Sequence, residues 1–183
     1  MSLALIGIGL GTEDDITVKG LSLVKNADKV YLENYTSILC VDKDKLELFY
    51  GREIIILDRE SVEDDSSVQE ILDQAKDMKV ALLVVGDVFS ATTHSDFYLR
   101  ARREGVEVVV IHNASIVSAV GACGMQVYRF GQIVSLPFFT EKWRPYSFYE
   151  KIKQNREIGL HTLVLLDIKV KEPTEHSLLS GYF

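Results

Sequence analysis

The run Ala81-Leu82-Leu83-Val84-Val85 carries no polar side chain and is closed at once by Gly86-Asp87. A strand with one wet face alternates apolar and polar residues. A continuous apolar run of this kind reads instead as a strand covered on both faces, the mark of a parallel sheet held between helices. Comparable segments recur along the chain. Leu3–Ile6, Lys29–Leu32, Glu53–Leu57, Val80–Val85 and Val106–Ile111 read as five strands. Helical segments lie between them: Thr17–Ala27, with Thr17 placed as N-cap and Leu21 and Val24 inward, and a short one over Asp44–Phe49. After an acidic loop, Ser61–Ser67, come Val68–Asp77, with Val68, Ile71, Leu72 and Ala75 on one side, and Ser95–Glu104, closed by Gly105. The alternation predicts an α/β fold: a mostly parallel sheet with helices on both faces.

The chain changes character after His112-Asn113. Ala114–Cys123 is rich in small residues and reads as a closely packed helix, Gln132–Leu136 as a strand, and Pro137–Pro145 as an aromatic loop holding the only tryptophan, Trp143. Ser147–Glu157 is an amphipathic helix closed by Gly159, and Thr162–Leu166 a further buried strand. Two strands and two helices are few for an independent domain. The expected division is therefore residues 1–112 as an N-terminal α/β domain and 113–183 as the start of a truncated C-terminal one.

Charge and cysteine usage exclude several classes. The net charge is −7 and no basic patch is evident, which argues against direct nucleic-acid binding. The two cysteines, Cys40 and Cys123, stand in no metal-ligand spacing, and the four histidines are scattered, so no metal site is expected. Such cysteine usage suits a reducing cytosol. No apolar run approaches a membrane span, and Met1–Leu10 reads as a first strand, not a leader.

Two strand ends offer ligand loops. Gly7-Ile8-Gly9-Leu10-Gly11 resembles a dinucleotide turn, but Thr12 stands where its third glycine belongs, and Glu13-Asp14-Asp15 would repel a pyrophosphate at the following helix start. Glu33, at the end of the second strand, has about the spacing of a ribose-binding acid. A ligand with a ribose and no phosphate, such as the cationic S-adenosylmethionine, meets both conditions; close strand–helix packing is the other reading of these glycines. The second loop is Gly86-Asp87-Val88-Phe89-Ser90-Ala91-Thr92-Thr93-His94. Asp87 reads as an acceptor for a ligand's amine or hydroxyls, or as a turn residue bonding its own backbone. His94 and His112 are candidate bases, but each lacks a carboxylate or nucleophile partner nearby in sequence and reads rather as structural; Thr92 and Thr93 bond a ligand or, the safer reading, cap the following helix, and Asn113-Ala114-Ser115 reads as a helix start whose free N–H groups can serve a ligand carboxylate. Trp143, Phe138 and Phe139 form a recognition surface or cover a core.

Taken together, Gly9-Leu10-Gly11, Asp15-Ile16-Thr17-Val18-Lys19-Gly20-Leu21, Tyr35-Thr36-Ser37, Gly86-Asp87, Ala91-Thr92-Thr93-His94 and Val110-Ile111-His112-Asn113-Ala114-Ser115-Ile116 resemble the diphthine synthase family. So do Trp143-Arg144-Pro145, Ser147-Phe148-Tyr149, Gly159-Leu160-His161-Thr162-Leu163 and Leu166-Asp167-Ile168-Lys169. His112-Asn113-Ala114-Ser115 and Val170-Lys171-Glu172 are similar to its eukaryotic branch, the diphthine methyl ester synthases. The resemblance implies a two-domain, tetrapyrrole-methylase-like (class III) methyltransferase, a homodimer with S-adenosylmethionine as cofactor, leaving as S-adenosylhomocysteine. It implies repeated methylation of the modified histidine of translation elongation factor 2 in diphthamide biosynthesis, a carboxylate being methylated as well as the amine. By the same resemblance the cofactor contacts fall on Leu10, Asp87, Ser90, Ser115, Ile116 and Leu166. Val88 stands where the family usually has proline, and Ser90 where it often has glycine, which predicts a less pre-organised loop. No catalytic residue is assigned, because methyl transfer from a sulfonium rests on orientation and desolvation. Other readings stay open: a methyltransferase acting on a tetrapyrrole or another small molecule, a fragment that only binds, and a dinucleotide-dependent oxidoreductase suggested by Glu33.

Overall fold

The structure, a computed structural model, describes residues 1–33, 39, 41–57 and 65–168. Expectations placed on Tyr35-Thr36-Ser37, on Cys40, on residues 61–64 of the acidic loop and on the tail from Lys169 lie outside the described residues. The chain divides into two compact units, Met1–Ala119 and Val120–Phe183.

In the first unit, β1 (Ser2–Gly7), β2 (Lys29–Glu33), β3 (Ile55–Leu57), β4 (Lys79–Val84) and β5 (Val108–Ile111) form one parallel sheet in the order β3-β2-β4-β1-β5. The strands are central where both faces are apolar. Along β1, Ala4 and Ile6 pack with α1 (Val18–Lys25) and α2 (Lys43–Tyr50), while Leu3 and Leu5 pack with α3 (Asp65–Asp77) and α4 (Ser95–Arg103). Burying each such leucine or isoleucine contributes about 1.5–3 kcal/mol, against about 1 kcal/mol for a helix cap, so packing outweighs capping in holding these helices. The cap of α1 is nevertheless present: the Thr17 hydroxyl accepts the Gly20 N–H at 3.0 Å. Val68, Ile71, Leu72 and Ala75 are all buried on one side of α3, as their spacing predicts. That helix begins at Asp65, so Asp65-Ser66-Ser67 belong to its first turn and correct the predicted loop. β3 is shorter than expected and half-exposed, as befits an edge strand.

The crossover from β1 to β2 runs by α1 on one face, and that from β4 to β5 by α4 on the other. Neighbouring strands β1 and β4 thus send their chains in opposite directions. A crevice is left beyond their carboxyl ends, the position where open α/β sheets bind ligands.

The second unit pairs β6 (Val134–Leu136) with β7 (Val164–Leu166) in parallel, beside a helix over Ser147–Glu157. Two expectations are corrected near and in this unit. Ala114–Cys123 is not one packed helix: α5 (Ile116–Ala119) spans four residues, then a 3-10 turn covers Val120–Cys123, and neither buries a residue. Small side chains there provide no apolar stripe to bury. Thr162–Leu166 is not a buried strand either, since in β7 Val164 and Leu165 are half-buried and Leu166 is 69% exposed. The helix over 147–157 takes α6 as its label, and its buried Asn155 clasps the unit. Asn155 Oδ1 accepts the Gln132 N–H, and its Nδ2 donates to the Gln132 carbonyl and the Thr162 hydroxyl, all at 2.8–2.9 Å. Among the described residues no helix is long and apolar enough to cross a membrane.

Candidate functional site

Three strand ends meet at the crevice: those of β1, β4 and β5. Gly9 and Gly86, both with positive φ, exchange backbone hydrogen bonds at 3.2 and 2.7 Å and tie the first two loops together. Gly7 lies between the β4 and β5 ends. A Cβ there would stand 2.6 Å from the Gly86 carbonyl oxygen, 3.0 Å from Asn113 Cβ and 3.2 Å from Asp87 Cα. The missing side chain is what allows the flanking strands to reach across β1.

Asp87 and residues 112–113 meet there. The Asp87 carboxylate, 8% exposed, is met by three donors and by the His112 ring. Oδ1 takes the Phe89 N–H at 3.0 Å and the Ser90 hydroxyl at 3.2 Å. Oδ2 takes His112 Nδ1 at 2.8 Å and the Asn113 N–H at 3.1 Å. Burial pushes the carboxyl's pKa up, but the Phe89 N–H, His112 and the Asn113 N–H together outweigh it and hold it below its usual value. The turn reading of Asp87 and its role at the rim are therefore one arrangement: its own loop supplies two donors and the β5 loop the other two. Asn113 adds a second tie, donating through Nδ2 to the Gly7 and Asp15 carbonyls, each at 3.0 Å.

The remaining loop residues fall into place around this carboxylate. Val88, in the position expected to loosen the loop, is completely buried among Val84, Phe97 and their neighbours and anchors the loop from beneath. The Thr92 hydroxyl donates to the Val88 carbonyl in place of accepting a helix N–H, and Ala91 between them has φ +64°. The capping residue of α4 is His94, which makes no side-chain cap bond. Ser115 is buried and its hydroxyl accepts the Val117 N–H at 3.1 Å, as a helix-start serine does. Leu10, Ser90 and Ile116 are partly exposed around these loops, and Leu10 Cδ2 lies 3.5 Å from where a Gly86 Cβ would be. Of the six residues named from the sequence, Leu10, Asp87, Ser90, Ser115 and Ile116 thus come together at adjacent strand ends of the first unit. Leu166 lies in the second unit. Trp143, Phe138 and Phe139 also lie there and are about half-exposed, with Phe139 stacked on Phe148.

The glycine turn of β1 is occupied by the chain itself. Asp15 Oδ2 accepts the Gly11 N–H at 2.8 Å, and a Cβ at Gly9 would strike Asp15 Cβ at 2.6 Å. The amide a pyrophosphate would use is already taken by a carboxylate, which suits a ligand without phosphate.

Two histidine–carboxylate contacts were not foreseen. His112 has its carboxylate in Asp87, 25 residues away in sequence. His94 Nε2 lies 4.0 Å from Glu33 Oε2, with both side chains fully enclosed and neither ring nitrogen of His94 hydrogen-bonded among the described residues. Burial drives the His94 pKa down, more than the negative Glu33 raises it. Glu33 is therefore enclosed beside His94, whereas a ribose acid would be open to its ligand. The signal available in sequence is position: Glu33 closes a strand, His112 immediately follows one and Asp87 lies three residues past one.

The sequence model of the tetrapyrrole (corrin/porphyrin) methylases matches residues 2–179. A Neurospora crassa protein named diphthine methyl ester synthase is 58% identical over 179 residues, covering 98% of this chain and 62% of its own length. A Saccharomyces cerevisiae protein of the same name is 57% identical over 180 residues, covering 98% and 59%. The crystal structure of a diphthine synthase superposes with a TM-score of 0.86 at 39% identity, covering 95% of this chain and 67% of that one. The chain spans 59–66% of the length of the curated relatives it matches. A family match along nearly the whole sequence, on a five-stranded parallel sheet with its loops gathered at the switch point, leads to one conclusion: the chain belongs to the tetrapyrrole (corrin/porphyrin) methylase family.

Proposed function

We propose that this chain acts as an S-adenosylmethionine-dependent methyltransferase that repeatedly methylates the modified histidine of translation elongation factor 2, as a diphthine methyl ester synthase. The observation that carries this reading is 57–58% identity, along 98% of the chain, to proteins of that name. The reading takes residues 1–112 as the N-terminal domain and 113–183 as belonging to a second α/β domain, in a cytosolic homodimer.

The residues present fit the methyl donor. An ionised carboxylate sits at the crevice rim beside the paired, positive-φ Gly9 and Gly86, and the anion position of the glycine turn is filled by Asp15. S-adenosylmethionine, when bound, supplies a methyl group on a cationic sulfur. Leu10, Asp87, Ser90, Ser115, Ile116 and Leu166 are the residues assigned to hold it. Asp87 keeps the β4 and β5 loops in one conformation and contributes negative charge toward a cation. Leu10 and Ile116 provide apolar cover, and the buried Ser115 sets the start of α5.

The test is transfer of labelled methyl to purified elongation factor 2 bearing the unmethylated precursor, with a porphyrin precursor in parallel. Label on the protein and none on the porphyrin is expected. Label on the porphyrin alone would replace the protein substrate with a tetrapyrrole.

A further inference from the structure

Resting on that reading of the acceptor, we infer that His112 is the proton acceptor for methylation of the substrate amine, and that Asp87 sets its tautomer. The argument begins with the carboxylate. Leaving His112 aside, three donors already converge on Asp87, the Phe89 and Asn113 N–H groups and the Ser90 hydroxyl, so it remains ionised and has no proton to give. The 2.8 Å contact to His112 Nδ1 must therefore be an N–H donated by the ring. In the neutral imidazole this leaves the basic lone pair on Nε2. Nε2 has no hydrogen bond among the described residues, on a ring that is 69% exposed. The ring is held from one side by Phe89, with centroids 6.1 Å apart at 63°, and Phe89 in turn by Tyr98 at 5.7 Å. A ring with one nitrogen fixed on a buried carboxylate and the other bare is the geometry of an oriented general base. It stands one residue beyond β5, between the Asp87 loop and the start of α5, where the sequence alone showed no partner for it.

An aliphatic amine is an ammonium near neutral pH and has no lone pair to attack with. In the step assigned here, the Nε2 lone pair takes a proton from the ammonium, and the N–H bonding pair stays on the amine nitrogen. That nitrogen then forms its bond to the methyl carbon while the carbon–sulfur bond breaks, its pair remaining on sulfur. The imidazolium returns its proton to water across its exposed edge. Each further methylation of the same nitrogen begins with the same proton removal until none is left. A carboxylate acceptor has no proton to lose and draws nothing from His112.

His112→Asn separates this role from a structural one, because the asparagine amide keeps an N–H near the position of Nδ1 for Asp87 but brings no titratable nitrogen. In the full-length protein the melting temperature and the affinity for S-adenosylhomocysteine are expected to stay close to wild type. The ratio of amine to carboxylate methylation on elongation factor 2 is expected to fall by about 10²–10⁴-fold near pH 7, less at higher pH where the amine deprotonates unaided. A second readout needs no turnover: nitrogen-15 NMR of the free protein is expected to show His112 protonated on Nδ1 and bare on Nε2 in its neutral form. An unchanged methylation ratio, or a neutral ring protonated on Nε2, overturns the assignment. If the wild-type protein transfers no methyl to elongation factor 2, the proposed function falls, and the base assignment with it; the tautomer and the wild-type activity thus report separately.

Discussion

Asp87→Asn is the substitution whose outcome the geometry determines most closely. It preserves the shape of the side chain and exchanges one acceptor oxygen for an NH2 group. If that NH2 takes the place of Oδ2, it faces His112 Nδ1 and the Asn113 N–H. The imidazole adapts by moving its proton to Nε2 and accepting, but the Asn113 N–H is stranded. If it takes the place of Oδ1, it faces the Phe89 N–H and the Ser90 hydroxyl. The hydroxyl turns round to accept, but the Phe89 N–H is stranded. Either way one part-buried backbone donor loses its acceptor, at about 1–3 kcal/mol. The surviving bonds also lose the negative charge that strengthens them, at roughly 1 kcal/mol. The expected loss is about 2–4 kcal/mol, on the order of 10 °C in melting temperature. Urea denaturation followed by circular dichroism at neutral pH measures it. A loss below about 0.5 kcal/mol, the range of an ordinary surface change, would refute the view that this carboxylate ties the two loops.

Three further outcomes follow from the same structure. Gly7→Ala needs no unusual backbone angle, yet its Cβ would press on the Gly86 carbonyl at 2.6 Å and on Asn113 and Asp87 beyond it; we expect a loss of about 1–3 kcal/mol and weakened S-adenosylhomocysteine binding by calorimetry, and an unperturbed variant would show that the loops do not close over β1. Asn155→Ala removes three hydrogen bonds and strands both backbone groups of Gln132, so amide exchange at Gln132 and neighbouring residues of the second unit should accelerate by about 2–4 kcal/mol equivalent, with the first unit's sheet unaffected. His94 is held neutral by burial, so its folded pKa lies below its unfolded one and the unfolded chain binds the extra proton; stability is then fullest above about pH 6.5 and declines below it, by up to roughly 1.4 kcal/mol per pH unit, a slope that His94→Gln should flatten.

The sheet is legible in the chain because burial on both faces writes itself as apolar runs such as Ala81–Val85, and the start of α1 because Thr17 caps it in the usual way. Strand order is not written there. Nothing local to β1 indicates that it lies between β4 and β5, so nothing local indicates that Asp87 and His112 meet. Gly7 illustrates the difficulty: its glycine is required by neighbours roughly 80 and 106 residues away, while its own surroundings suggest only a turn. Glu33 and His94 fail as sequence signals for a related reason. Each is the charged or titratable end of an ordinary element, and only the packing encloses the two together. In the second unit the error ran the other way. The apolar letters of Thr162–Leu166 suggest depth, but a two-stranded sheet leaves half of that surface outside.

The reciprocal pairing of Gly9 with Gly86 has a kinetic corollary. Separating the two loops at their base would break both main-chain links simultaneously, so deuterium uptake at these two amides should be as slow as in the central strands. An arriving molecule then meets a floor that is already assembled, and whatever time its capture takes is spent at the rim.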